Sequence, residues 1–96
     1  MTVVYPAVFT PLKEGGYMVY LPDWENNTQG EDLADAIAMA RDAIGILCIV
    51  REEDGEPLPT PSLSIQHEAG EIVSFVDVDL TAYRRSLEKS SQSVSA

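Results

Sequence analysis

The side chains best suited to chemistry in this 96-residue chain are few, and their spacing matches no catalytic constellation. His67 is the sole histidine and stands beside Glu68 in a polar stretch. A histidine base needs a nucleophile or an acid held within hydrogen-bond reach, and no residue at a diagnostic spacing supplies one. His67 therefore reads as an exposed loop residue. Cys48 is the sole cysteine, so no intrachain disulfide and no cysteine-built zinc site can form. Its nearest cation is Arg51, and it reads as a buried structural thiol. Asp77 and Asp79 alternate along one segment, and Asp23 and Glu25 lie together in another. Folded into one place, such carboxylates could gather Mg²⁺ for phosphodiester cleavage. A chain of net charge −10 without a basic groove would, however, hold a nucleic-acid substrate poorly. There is no phosphate-cradling glycine loop and no dinucleotide fingerprint. Arg84, Arg85 and Lys89 form a small basic cluster that reads as a solvated helix face. The residues argue for a protein that is not an enzyme and needs no cofactor.

Charge points instead to a partner. Between Glu14 and Asp79 lie fifteen acidic residues and only two basic ones, Arg41 and Arg51. Such a body repels phosphate backbones and anionic lipid, and attracts basic proteins at long range. The same acidity also serves solubility. With 45% apolar residues the chain is composed like an ordinary globular domain, long enough for one core and not for two. The N-terminal residues lack the pattern of a signal peptide, and the longest apolar run, Ile44 to Val50, is far too short to span a bilayer. A cytoplasmic protein with a reduced thiol, away from membranes, is expected.

The elements that must position these residues can be read from periodicity. Val3 to Thr10 is rich in β-branched and aromatic residues and predicts a strand; Pro6, which has no amide hydrogen, should place it at an edge or a bulge. Gly15-Gly16 suits a reversing loop into a second strand, Tyr17 to Leu21, and a short third strand is expected around Asn27-Thr28-Gln29. Asp32 is a candidate N-cap, followed by Leu33, Ile37, Ala40, Ile44 and Leu47 at helical spacing, with an end expected near Asp54-Gly55. From Ile44 to Val50 the apolar residues run most of the way round the cylinder, so either the helix end is deeply buried in its own core or Ile46 and Ile49 meet another chain. The prolines at 57, 59 and 61 predict an extended connector. Ile72 to Leu80 is apolar at both odd and even positions, which predicts a central strand. A serine-rich tail over residues 84–96 should fray. The result is an α+β domain over residues 1–83, ordered β-β-β-α-β, with one long amphipathic helix on one face of a mostly antiparallel sheet.

Taken in order, the motifs resemble the HicB-like antitoxins. Those that carry the resemblance are Tyr5-Pro6-Ala7-Val8-Phe9, Gly16-Tyr17-x-Val19-x-Leu21-Pro22-Asp23, Thr28-Gln29-Gly30, the helix from Leu33, Gly55-x-Pro57-x-Pro59-x-Pro61-Ser62, and Val76-Asp77-Val78-Asp79-Leu80 with Tyr83. The resemblance implies a partial RNase H-like fold without nuclease activity. It also implies a partner: a small basic HicA-type toxin that cleaves mRNA, whose active site the antitoxin covers. Opposed charge of that kind gives fast encounter and specificity. The chain departs from the family pattern after Asp23, where Trp24-Glu25-Asn26 replaces leucine-proline-glycine. It also ends at Ala96, without the DNA-binding segment that many members carry, so operator binding is not expected. Candidate partner contacts are Trp24, Glu25, Asp35 and Asp42, with Ile46 and Ile49 as apolar anchors. Two other readings stand beside this one: a divergent RNase H-like nuclease using Asp23, Asp77 and Asp79 with Mg²⁺, and a homo-oligomeric domain without a toxin. A homo-oligomer is also expected on the antitoxin reading.

Overall fold

The computed structural model describes residues 1–95, with side chains through Lys89. Four strands and two helices follow one another as β1 (Thr2–Pro11), β2 (Tyr17–Leu21), β3 (Asn26–Gly30), α1 (Leu33–Glu53), β4 (Ile72–Asp79) and α2 (Leu80–Ser95), with a single 3-10 turn at Pro22–Trp24. The strands form one antiparallel sheet in the order β3-β2-β1-β4. This is the α+β arrangement expected, with a helix added.

Cross-strand partners in an antiparallel pair point to the same face, so the register sorts the side chains. Tyr5, Ala7 and Phe9 of β1, Val19 and Leu21 of β2, and Val76 and Val78 of β4 point towards α1 and are buried. They pack against Ala36, Ala40, Ile44 and Cys48 of α1. Each large side chain taken fully out of water contributes on the order of 1.5–3 kcal/mol before ordering costs. The start of α1 is fixed locally. Asp32 Oδ1 accepts from the Asp35 amide at 2.7 Å, and Asp35 Oδ2 accepts from the Glu31 amide at 2.8 Å, so the two carboxylates satisfy two amide donors at the helix entrance. Gly55, at φ 70°, follows the other end and takes the left-handed conformation that a side chain would resist.

Two strand expectations are corrected. β1 is central in strand order, although Pro6 suggested an edge or a bulge. The bonds that extend each ladder explain how. Leu12 donates to Gly16 O at 3.0 Å, and Leu80 donates to Met1 O at 2.9 Å. Even-numbered residues of β1 therefore face β2 and odd-numbered ones face β4. The Pro6 nitrogen turns towards β2, whose pairing with β1 extends only to Val8↔Tyr20. No ladder bond is lost. Conversely, β4 is an edge strand and not central: Val76 and Val78 are buried, but Ile72 and Phe75 are exposed. Its apolar residues on both faces do not mean burial on both faces.

The third correction concerns the end of the chain. Most of the tail expected over 84–96 belongs to α2, while Ala96 lies outside the described residues. Asp79 Oδ1 accepts from the Ala82 amide at 3.2 Å in the helix's first turn. α2 then crosses α1 where Gly45 leaves room for the Tyr83 ring: a Cβ on Gly45 would stand 2.8–2.9 Å from three ring carbons. The Tyr83 hydroxyl donates to Asp42 Oδ1 at 2.9 Å, and Arg84 pairs with Glu52. Burial and the Asp42 carboxylate together push the Tyr83 phenol up to about 12. Among the described residues no helix is long and apolar enough to cross a membrane.

Candidate protein-interaction surface

The six residues singled out as partner contacts do not form one patch. Trp24 and Ile49 are core. Trp24 is 9% exposed, and its ring meets Tyr5 edge-on with centroids 5.2 Å apart while the Arg51 guanidinium lies 5.4 Å from its centroid. Its indole N–H is buried and meets no acceptor among the described residues. Ile49 is 5% exposed on the helix that α2 crosses. It lies outside the main apolar stripe of α1, one turn after Gly45, where the Tyr83 ring of α2 packs.

The apolar girdle of α1 thus resolves into two parts. Ile44, Cys48 and Ile49 are buried within the chain, whereas Ile46 is 41% exposed. Met39 and Val50 are exposed to similar degrees, 38% and 50%. At 100° per residue, Asp35, Met39, Asp42, Ile46, Val50 and Glu53 all fall within one quadrant of the helix. Three apolar side chains are interleaved there with three carboxylates, and among the described residues α2 reaches this face only at its Asp42 edge, through the Tyr83 hydroxyl. At its N-terminal end this stripe runs into an open depression of about 430 Å³ lined by Glu14, Glu31, Asp35 and Met39. Such a surface offers apolar contact with an acidic rim. Three of the predicted contacts, Asp35, Asp42 and Ile46, lie on it.

Glu25 stands elsewhere, exposed at the end of the 3-10 turn, with φ 48° and ψ 45°. A left-handed conformation at a residue with a side chain costs on the order of 1–2 kcal/mol. It falls within Trp24-Glu25-Asn26, the stretch at which the sequence departs from the pattern it otherwise resembles.

The carboxylates of the nuclease reading are dispersed. Asp23 accepts from the Ser62 amide at 3.0 Å and from its hydroxyl at 2.5 Å, tying the proline-rich connector down beside Tyr5, whose hydroxyl donates to Pro59 O at 2.6 Å. Asp77 takes the Arg41 guanidinium at 3.0 Å, which holds its carboxyl below the usual range. Asp79 caps α2. Among the described residues no cluster of three or more His, Cys, Asp or Glu side chains could hold a metal ion. Cys48 is fully buried, and burial followed by the nearby Glu52 pushes its thiol up to about 11, the opposite of nucleophile activation. His67 is exposed, with Nδ1 at 3.3 Å from Ile65 O.

No family profile matches the chain. Curated relatives do: an Antitoxin HicB of Escherichia coli K12 is 40% identical over 78 residues, covering 80% of this chain and 53% of the relative. An Antitoxin HicB 1 of Photorhabdus laumondii is 34% identical over 88 residues, covering 80% of this chain and 57% of the relative. The chain thus spans about half the length of the curated relatives it matches. Among solved structures, a toxin–antitoxin complex from Streptococcus pneumoniae contains a chain that superposes with TM-score 0.74 at 27% identity, covering 86% of this chain and 73% of that one. A HicA3–HicB3 toxin–antitoxin complex gives TM-score 0.62 at 28% identity, covering 80% and 99%.

Proposed function

Because the chain is HicB-like in both sequence and fold, we propose that it acts as an antitoxin, binding a small basic HicA-type toxin and covering its active site. The observation that carries this reading is the superposition of most of the chain on a protein solved in a toxin–antitoxin complex. Charge supports it independently: a body of net charge −10 is drawn towards a positive, RNA-binding surface and repelled by RNA itself. The acid-rimmed stripe of α1 is the surface that fits best. Met39, Ile46 and Val50 supply area to bury, while Asp35, Asp42 and Glu53 orient cationic side chains around them. On this reading the protein blocks a reaction and performs none.

The test is to produce the chain together with a HicA-type toxin, isolate the pair, and assay the toxin's RNA cleavage. The expected result is a complex of fixed stoichiometry in which cleavage is lost. Ile46→Glu should leave the fold unchanged and weaken the complex at least tenfold, since it sets a charge in the middle of the apolar stripe. Cleavage of RNA by the purified chain alone, at ordinary salt, would overturn the reading.

A further inference from the structure

β4 is the edge of the sheet, and its hydrogen-bonding groups can be assigned one by one. The ladder that begins at Leu80 N→Met1 O uses the even-numbered residues of β4, so Val73, Phe75, Asp77 and Asp79 turn their amides and carbonyls outward. Folded proteins commonly blunt such an edge with charge, proline, a bulge or a cover. One end of β4 is treated this way: Arg41 Nε donates to Asp77 O at 3.0 Å, and the Asp79 side chain is occupied at the start of α2. The other end is not. No backbone group outside the sheet pairs with Val73 or Phe75 among the described residues, and Phe75 O receives only a 3.4 Å contact from the Ser74 hydroxyl. The side chains at this open end are apolar and exposed, Ile72 at 41% and Phe75 at 50%.

We propose that the Val73–Phe75 edge of β4 receives an extended strand of a partner protein, apolar at its centre and cationic on either side. Charge selects that occupant. The open segment is flanked by Glu71 at one end and by Asp79 at the other, while the carboxylate of Asp77 is already paired with Arg41. Glu71 is held ionised by the Glu68 amide and the Thr10 hydroxyl, at 2.8 and 2.7 Å. A second copy of this chain fits badly. Antiparallel β4 pairing centred on Phe75 sets Glu71 against Asp79, and any such pairing brings together bodies that each carry −10. This inference rests on the antitoxin reading for the identity of the partner, and it adds a contact on a different surface from the α1 stripe.

The ladder assignment supplies a clean perturbation. Val73→Pro removes an outward amide without breaking a bond to β1, whereas Ser74→Pro would break one. The ¹⁵N-labelled chain is titrated with a short peptide of alternating arginine and valine, with a glutamate–valine peptide as control, and amide shifts are followed. The expected result is that the largest shifts fall on Val73 and Phe75 with the arginine peptide, and that apparent affinity is at least tenfold weaker with the glutamate peptide and in Val73→Pro. Retained thermal unfolding of Val73→Pro shows that the fold is intact. Shifts centred on α1, equal binding of both peptides, dimerisation of the chain through β4, or unchanged binding by Val73→Pro each overturn the proposal. Because the peptide replaces the toxin, failure here leaves the antitoxin reading to its own co-purification test, and failure of that test leaves this result standing.

Discussion

Gly45→Ala pits two effects of similar size against each other, and the structure says which residue reports the outcome. In the middle of α1, replacing glycine by alanine should stabilise the helix by about 1 kcal/mol. The new Cβ, however, would lie 2.8 Å from Tyr83 Cδ1 and 2.9 Å from two further ring carbons. Ordinary carbon contacts are about 3.5 Å, so the ring must retreat by roughly 0.7 Å. Retreat lengthens the 2.9 Å bond from the Tyr83 hydroxyl to Asp42 and loosens the crossing of α2 over α1. An exposed charge-assisted bond and part of a ring contact are together worth about 1 kcal/mol. Global stability should therefore change by no more than about 1 kcal/mol, too little to identify the mechanism alone. The phenol is the sharper readout. Burial and Asp42 hold Tyr83 up to about 12; in Gly45→Ala its titration, followed by NMR of ¹³C-labelled tyrosine, should fall towards the ordinary value near 10. A variant stabilised by the full 1 kcal/mol with Tyr83 still titrating near 12 would show that α2 does not pack across Gly45.

Gly30→Ala should be far more damaging, because its Cβ would meet the Ala36 amide nitrogen at 2.4 Å and the Ala36 Cα at 2.5 Å, backbone atoms that cannot rotate away; a loss of about 2 kcal/mol or more in urea unfolding is expected, and a loss under 0.5 kcal/mol would contradict the packing of β3 on α1. Glu25→Gly should raise stability by about 1 kcal/mol by relieving the left-handed backbone at φ 48°, measured as a higher melting temperature. Tyr5 is pushed up to about 12, chiefly by burial, so the fold favours its neutral form; that contribution is complete below pH 10 and disappears as pH rises from 10 to 12. In Tyr5→Phe, unfolding free energy should lose about 1.4 kcal/mol per pH unit less across that window, and an unchanged alkaline slope would contradict the burial of the phenol.

Where the signal was local, the sequence was a sufficient guide. The capping aspartates, the stop at Gly55, the hairpin glycines and the stripe from Leu33 to Leu47 each depend on neighbours a few residues away. The misreadings share a different cause. Trp24 and Ile49 read as exposed in the sequence because the groups around them come from far along the chain: Tyr5 and Arg51 meet the Trp24 ring, and Tyr83 packs at Gly45, one turn before Ile49. α2 was overlooked for the same reason. Its serine-rich sequence is a poor helix signal, and its docking depends on Gly45 and Asp42, some forty residues earlier. Asp23 looked available for chemistry because its engagement with Ser62 spans 39 positions.

β4 is the instructive case, because its apolar pattern was read correctly and interpreted wrongly. Residues apolar on both faces of a strand mean either that both faces are covered within the chain or that one awaits cover from outside. Periodicity cannot separate these, but the ladder can. Even-numbered β1 residues, Pro6 among them, turn towards β2, the odd-numbered ones hold β4, and β4 is left with an outward row whose end at Val73 and Phe75 nothing in the described chain fills. The missing amide hydrogen of Pro6 costs nothing in this register, and the register decides which backbone groups of β4 remain unpaired. The unpaired groups are those beside exposed Ile72 and Phe75, between the carboxylates of Glu71 and Asp79. A strand kept open, apolar and acid-flanked is costly for a protein that works alone, and economical for one whose partner arrives with the opposite charge.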